Sequence, residues 1–246
     1  MLFAIVHYNT PMLTTCLISS IYKIYPTATV IVFDNSDVSP LYSSAIRHYS
    51  IRYYDNTHQD IINFADEIKA ANLPVDERFA RINNLASVKH CCTVDWLLQY
   101  LPYDEIILLD SDILLFKPLD FSTRHVITAG QLSEEEVETR DERRYRILPY
   151  CQYFNLNLIR RYNLHYFDAK RIIVFLNQEK VGRWAYDTGA SFYEDVITQY
   201  PRLCRTDIDL DKYIVHYKGG SWATNTKTVP YDAWLGYYAK LWSVSK

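Results

Sequence analysis

The sequence predicts an α/β fold: one domain, residues 1–246, with a mostly parallel central sheet flanked by helices. Three observations predict it. Short apolar runs rich in β-branched residues alternate with longer stretches of helical period. The first two runs are separated by a helix-length segment, and β-α-β units of this kind close parallel. A third run, Ile106–Phe116, is apolar on both faces, as inner strands of parallel sheets are.

Residues 2–7 (Leu-Phe-Ala-Ile-Val-His) open the fold as a buried strand. The loop His7-Tyr8-Asn9-Thr10-Pro11 follows, with Thr10 placed to N-cap a helix and Pro11 at its first position. That helix runs to about Tyr25, carries Leu13, Leu17, Ile21 and Ile24 on one face, and stops at Pro26. Thr29–Phe33 is the second strand and ends in Asp34-Asn35-Ser36-Asp37; Ile51–Tyr54 is the third. Residues 60–100 read as helical pieces broken near Pro74, the last being Ser87–Tyr100, which leads into the run at Ile106. The charged stretch 132–145 reads as a solvated helix with i,i+4 pairs, or as a lid. Arg171–Leu176 is a short strand, Ser191–Tyr200 a helix after Asp187-Thr188-Gly189, and Tyr213–Tyr217 a late strand. The aromatic segment 230–243 docks on the domain in this reading; peripheral membrane contact is the weaker alternative, since few basic residues flank it.

Composition narrows the function. A net charge of -3 argues against nucleic acid as a partner. Only 6 glycines are present, and neither GxGxxG nor GxxxxGK[ST] occurs, so no Gly-rich phosphate loop is expected. Tyrosine, at 22 residues, suits sugar recognition, although packing explains most of it. The cysteines (Cys16, Cys91, Cys92, Cys151, Cys204) are odd in number and lack a CxxC pair, which predicts reduced thiols in a cytoplasmic protein. No leader peptide and no membrane span is legible, and the expectation is a soluble chain.

The chemistry concentrates at Asp110-Ser111-Asp112, inside the apolar run. Desolvating even one carboxylate costs several kcal/mol unless something compensates it. At i and i+2 both side chains project to one side of an extended segment and can share a hard cation. Oxygen ligands select Mg²⁺ or Mn²⁺, which keeps positions open for phosphate oxygens. A strand-end turn closed by an Asx hydrogen bond is the ordinary alternative. His216, at the end of the late strand and before Lys218-Gly219-Gly220, is a candidate third ligand, although alone it reads as a structural residue. Asp34 ends the second strand, where open sheets bind ligands, and can accept from a base or a ribose. Taken alone, an Asx-rich turn is the preferred explanation of it.

Four stretches together resemble the GT-A glycosyltransferases, whose single domain is Rossmann-like. They are Val6–Pro11, Val32–Ser36, Leu108–Asp112 and His216–Trp222. The beginning is similar to the family-two type; the ending, His-x-x-Gly-x-x-Trp, is similar to the family-eight type, with Gly220-Ser221 where that family has Lys-Pro. The resemblance implies a metal-dependent sugar transferase: residues 1–125 hold the nucleotide sugar and 126–246 the acceptor, a glycan or glycolipid. It places His7, Tyr8, Asn9, Thr10, Asp34, Asn35 and Ser36 at the base and ribose. Asp110, with Ser111 beside it, lies near the ribose and the metal, and Asp112 and His216 are metal ligands. Ser87, Lys89 and His90 face the donor sugar or diphosphate, with Lys218, Gly219 and Trp222 at the leaving group. The metal is Mn²⁺ or Mg²⁺ and the donor a nucleoside diphosphate sugar, with uridine as the base. Stereochemistry stays open. An inverting reaction needs a general base, for which Asp187 is preferred and Glu194 and Asp195 are alternatives; Asp187 equally suits a helix cap. Tyr153, Trp184 and Trp222 are candidates for stacking on sugars. The competing readings are a nucleotidyltransferase, which would want a basic Gly-rich loop after the first strand, and an inactive carbohydrate-binding relative.

Overall fold

The computed structural model describes residues 1–41, 50–70, 86–121, 125–136, 143–168, 171, 174–176, 179–181, 188–217 and 236. In chain order the elements are β1 (Leu2–His7), α1 (Pro11–Ile24), β2 (Thr29–Asp34), β3 (Ile51–Asp55), α2 (Phe64–Ala70), α3 (Ala86–Tyr100), β4 (Glu105–Asp110), β5 (Ile113–Leu115), β6 (Thr128–Glu136), β7 (Arg143–Asn155), α4 (Leu156–Arg161), β8 (Val174–Leu176), β9 (Glu179–Val181), α5 (Ala190–Gln199), β10 (Cys204–Arg205) and β11 (Ile214–His216). A mostly parallel seven-stranded sheet has the order β10-β6-β7-β4-β1-β2-β3. Two small sheets, β11-β5 and β8-β9, complete the strands described. This is the predicted α/β architecture.

The chain divides into two compact units, one of residues 1–58, 108–120 and 209–246, the other of 59–107 and 121–208. In the first, β1 pairs parallel with β2 in register Leu2↔Thr29 to His7↔Asp34, and β2 pairs parallel with β3. All six residues of β1 are buried, which explains their apolar, two-faced pattern. Helix α1 buries Leu13, Leu17, Ile18 and Ile21, so Ile18 takes the place expected for Ile24. Leu13 packs on Leu114 of β5, with Val215 of β11 against the same cluster.

Thr10 sits at the N-cap of α1 but makes no side-chain cap bond. Its hydroxyl is engaged elsewhere, by Ser111. The apolar run expected as one strand is two: β4 ends at Asp110, and β5 resumes at Ile113 in the small sheet with β11. The acidic triplet is therefore where the chain changes sheets.

In the second unit, β6 and β7 pair antiparallel. Here the structure corrects the expected helix over 132–145, of which 132–136 and 143–145 are described and are strand. The register sets Glu135 opposite Arg144 and Glu136 opposite Arg143. Phe154, Tyr166 and Phe192 form an edge-on aromatic cluster. Gly189, at φ 77, begins α5 against the Tyr166 hydroxyl, too close for any side chain. Tyr153 is buried and donates its hydroxyl to Glu105 at 2.9 Å, so it packs in the sheet rather than offering a ring face. Cys91 and Cys92 are buried on α3 as expected, and all five cysteines are free.

The expected break near Pro74 lies outside the described residues, as do Asp187, Trp184, Lys218, Gly219, Trp222 and nearly all of 230–243. Among the described residues no helix is long and apolar enough to cross a membrane.

Candidate functional site

The first unit brings four chain segments together at the carboxyl ends of β1, β2 and β4, the side where open α/β sheets take ligands. Two of the segments are joined by Asn9. It adopts φ 54, a left-handed conformation that asparagine tolerates better than most residues. Its backbone N–H donates to Ser36 Oγ at 2.9 Å and its side-chain amide donates to Asp37 Oδ1 at 2.6 Å. Its carbonyl oxygen accepts from the Val38 and Ser39 amides at 3.0 and 2.9 Å. Tyr8 adds a bond from its hydroxyl to Asp37 Oδ2 at 2.9 Å. Burial, then Asp37, pushes the Tyr8 phenol up to about 12.

Beneath this rim lies a sealed pair. His7 and Asp34 are fully buried, with His7 Nε2 4.0 Å from Asp34 Oδ1. His7 Nδ1 meets the Thr14 hydroxyl at 2.7 Å. Asp34 accepts from Ser36 N at 2.8 Å, Leu41 N at 2.7 Å and the Tyr53 hydroxyl at 2.6 Å. Its carboxylate organises the loop after β2 from below. Desolvation lowers the His7 pKa, and the Asp34 charge opposes that without reversing it. Asn35 is held by Asn56, whose amide donates to its Oδ1 at 2.9 Å.

The acidic turn forms the opposite side. Asp110 closes β4 and is half-buried; Ser111 and Asp112 are buried. The antiparallel ladder of β5 and β11 sets His216 opposite Ile113, and Tyr217 N donates to the Asp112 carbonyl at 2.8 Å. This pairing brings His216 Nε2 to 3.5 Å from Asp112 Oδ1, across more than a hundred residues of sequence. Asp112 is 1% exposed and His216 23%. Thr10 Oγ1 and Ser111 Oγ lie 2.9 Å apart, tying this turn to the loop after β1.

One carboxylate and one imidazole edge to edge fit two positions of a Mn²⁺ or Mg²⁺ shell, and such ions fill the rest with water and phosphate oxygens. Among the described residues no group of three or more His, Cys, Asp or Glu side chains is already gathered as a cation cage.

Other expected site residues belong to the second unit. Lys89 lies over the Phe64 ring at 5.6 Å, and His90 is half-buried on α3. Ser87 is in the first turn of that helix. Glu194 and Asp195, on α5, are bound by Arg171. Its guanidinium reaches Glu194 Oε2 at 3.2 Å and Asp195 at 2.9 and 2.5 Å, and also Asp168 at 2.6 Å. Sequence reasoning passed over Asp37, Tyr53 and Arg171. Asp37 had a local signal, since it extends the Asp-Asn-Ser turn; Tyr53 and Arg171 had none.

No family model matches the chain, and no curated protein matches it in sequence. Solved structures do. GlyE of Streptococcus pneumoniae TIGR4, a glycosyltransferase, aligns over 99% of this chain and 61% of its own, with TM-score 0.50 and 11% identity. The fold is that of a glycosyltransferase. Mouse xyloside xylosyltransferase 1 aligns over 85% of this chain and 86% of its own, with TM-score 0.48 and 11% identity. The galactosyltransferase LgtC aligns over 69% and 61%, with TM-score 0.44 and 14% identity. The chain spans about three fifths of the length of LgtC and GlyE. Within the shared fold, the turn at Asp110–Asp112 follows an inner strand of the sheet.

Proposed function

We propose that this chain is a metal-dependent glycosyltransferase that moves a sugar, a hexose in this reading, from a nucleoside diphosphate sugar to a glycan or glycolipid acceptor. The observation that carries the proposal is the meeting of Asp112 and His216 in one sheet-changing turn. A buried carboxylate beside an imidazole is a donor set for a hard or borderline divalent ion, and Asp112 and His216 would hold it. When bound, that ion supplies positive charge where the nucleoside diphosphate departs.

The chain's own residues divide the remaining work. Asp110, at the strand end, accepts from the ribose. Tyr8, Asn9 and Ser36 line the nucleoside, on a loop that Asp34 shapes from beneath and Asn9 fastens to its neighbour. Uridine is the proposed base. Lys218, Gly219 and Trp222 follow His216 directly and are proposed at the leaving diphosphate, with Ser87, Lys89 and His90 toward the donor sugar. For an inverting reaction Asp187 takes the acceptor proton. The engagement of Glu194 and Asp195 by Arg171 makes them weaker choices.

The test is titration of uridine diphosphate with and without Mn²⁺, in wild type and Asp112→Ala, followed by donor hydrolysis over a panel of nucleotide sugars. Losing the carboxylate is expected to abolish Mn²⁺-dependent binding and to lower hydrolysis by about a hundredfold or more, the several kcal/mol a metal contributes. Nucleotide binding that needs no metal and ignores the substitution refutes the metal role. Tight metal-dependent binding with no turnover of any donor refutes the transferase in favour of a sugar-nucleotide-binding protein.

A further inference from the structure

Thr10 was expected to cap α1 and to lie at the nucleoside, and Ser111 to sit beside Asp110 near the ribose; no link between the two was expected. Instead their hydroxyls meet at 2.9 Å, 101 residues apart in sequence. The cap bond that Thr10 forgoes leaves the start of α1 without its usual side-chain acceptor. Ser111 is 2% exposed and Thr10 is half-buried, so the contact is partly shielded from water, and partial shielding strengthens a hydrogen bond relative to the surface.

Each end of the contact belongs to a tightly constrained segment. On one side Ser111 is followed at once by Asp112, whose carbonyl is bound by Tyr217 N and whose carboxylate faces His216. On the other side Thr10 follows Asn9, whose N–H, side-chain amide and side-chain carbonyl all hold the Ser36–Ser39 loop. The Thr10 carbonyl also accepts the first helical bond from Thr14 at 3.1 Å, and Thr14 holds His7. A displacement of Asp112 on cation binding would therefore reach the nucleoside loop through one part-buried hydroxyl pair.

We propose that the Thr10–Ser111 hydroxyl contact is a positioning link that makes nucleoside binding depend on metal occupancy, even for a ligand that carries no phosphate. It rests on the reading of this site as a nucleotide-sugar site. Direct bridging of a cation to diphosphate would couple metal and nucleotide in any such site; the link predicts coupling where bridging is impossible. The cation orders the turn, the turn orders the Thr10 loop, and the nucleoside then has less to order. Binding linkage makes the effect reciprocal, so uridine also tightens Mn²⁺.

The experiment titrates uridine, which has no phosphate, into the protein with and without Mn²⁺, followed by calorimetry. Wild type is expected to bind uridine about fivefold more tightly with Mn²⁺, the worth of one well-made hydrogen bond. Thr10→Val and Ser111→Ala are expected to bring that ratio to about one, whatever their absolute affinities, while Thr10→Ser, which keeps the hydroxyl, retains it. A ratio near one in wild type, or an unchanged ratio in both hydroxyl-deleted variants, overturns the link. Uridine diphosphate in a separate arm tells the failures apart: if it binds only with Mn²⁺ while uridine shows no coupling, the donor site stands and the link falls. If neither ligand binds wild type, the reading of the site falls and takes the link with it.

Discussion

Two histidine–aspartate pairs lie in the same unit, and they are built for different ends. His7 and Asp34 are both fully buried and 4.0 Å apart, and Asp34 accepts from two backbone amides and a tyrosine while His7 is held by Thr14. Asp112 and His216 are closer, at 3.5 Å, and His216 keeps 23% of its side chain in contact with solvent. The first pair is sealed and shapes a loop. The second has an edge that an incoming ion can reach. Identical residue types thus meet different surroundings: Asp34 is filled by two backbone amides and a tyrosine and anchors a loop, whereas Asp112 lies beside a solvent-reachable imidazole, as the proposed ligand role requires.

Breaking the open pair gives the largest effect. His216→Ala is expected to weaken Mn²⁺ binding by about ten- to a hundredfold, the range a lost or misdirected metal contact produces. Calorimetric titration of Mn²⁺ in the presence of uridine diphosphate measures it; an unchanged affinity would make His216 a packing residue like His7. A third arrangement sharpens the contrast. Arg171 binds Asp168, Glu194 and Asp195, a cation supplied by the chain itself. Arg171→Met leaves three carboxylates clustered. These groups are a quarter or more exposed, so the loss of stability is expected at about 1–2 kcal/mol, below that of a fully buried cluster. Urea unfolding reads this loss, and Mn²⁺ affinity is expected to stay as in wild type.

The smallest effect belongs to the sealed pair. Burial holds the His7 pKa below its ordinary 6.5, so the unfolded chain takes up the proton first as pH falls. The stability His7 contributes is complete above that ordinary value and declines as pH drops toward the lowered folded value. His7→Gln is expected to flatten this decline as pH falls below 6.5, seen as a smaller difference in urea midpoints. An unaltered slope would place the titration on another group.

The strands β1, β2 and β3 and the helix α1 were legible because burial and proline leave marks in one dimension. Six buried residues in β1 read as an apolar run, and Pro11 and Pro26 bracket α1. The charged stretch after Leu132 was not, because Glu and Arg placed four apart on a helix or opposite on a hairpin give the same string. At the site, the nearness of Asp112 and His216 was foreseeable: a carboxylate in an apolar run needs compensation, and few residues offer it. The partners of Thr10 and Asp34 were not, because a hydroxyl or a carboxylate at a strand end satisfies itself locally in most chains. Here Ser111 takes the Thr10 hydroxyl and Tyr53 joins the local Ser36 bond at Asp34, through contacts that only the folded sheet creates.

The change of sheets at the acidic triplet has a consequence for how this region can vary in length. Asp110 ends a strand of the seven-stranded sheet and Ile113 begins one in the β5–β11 ladder, with two residues between. Both neighbours are locked by register, and side chains alternate along a strand, so one residue gained or lost there would turn Asp112 away from His216. The connection works as a ruler: insertions there are expected to be poorly tolerated, and substitution must do the work of diversification.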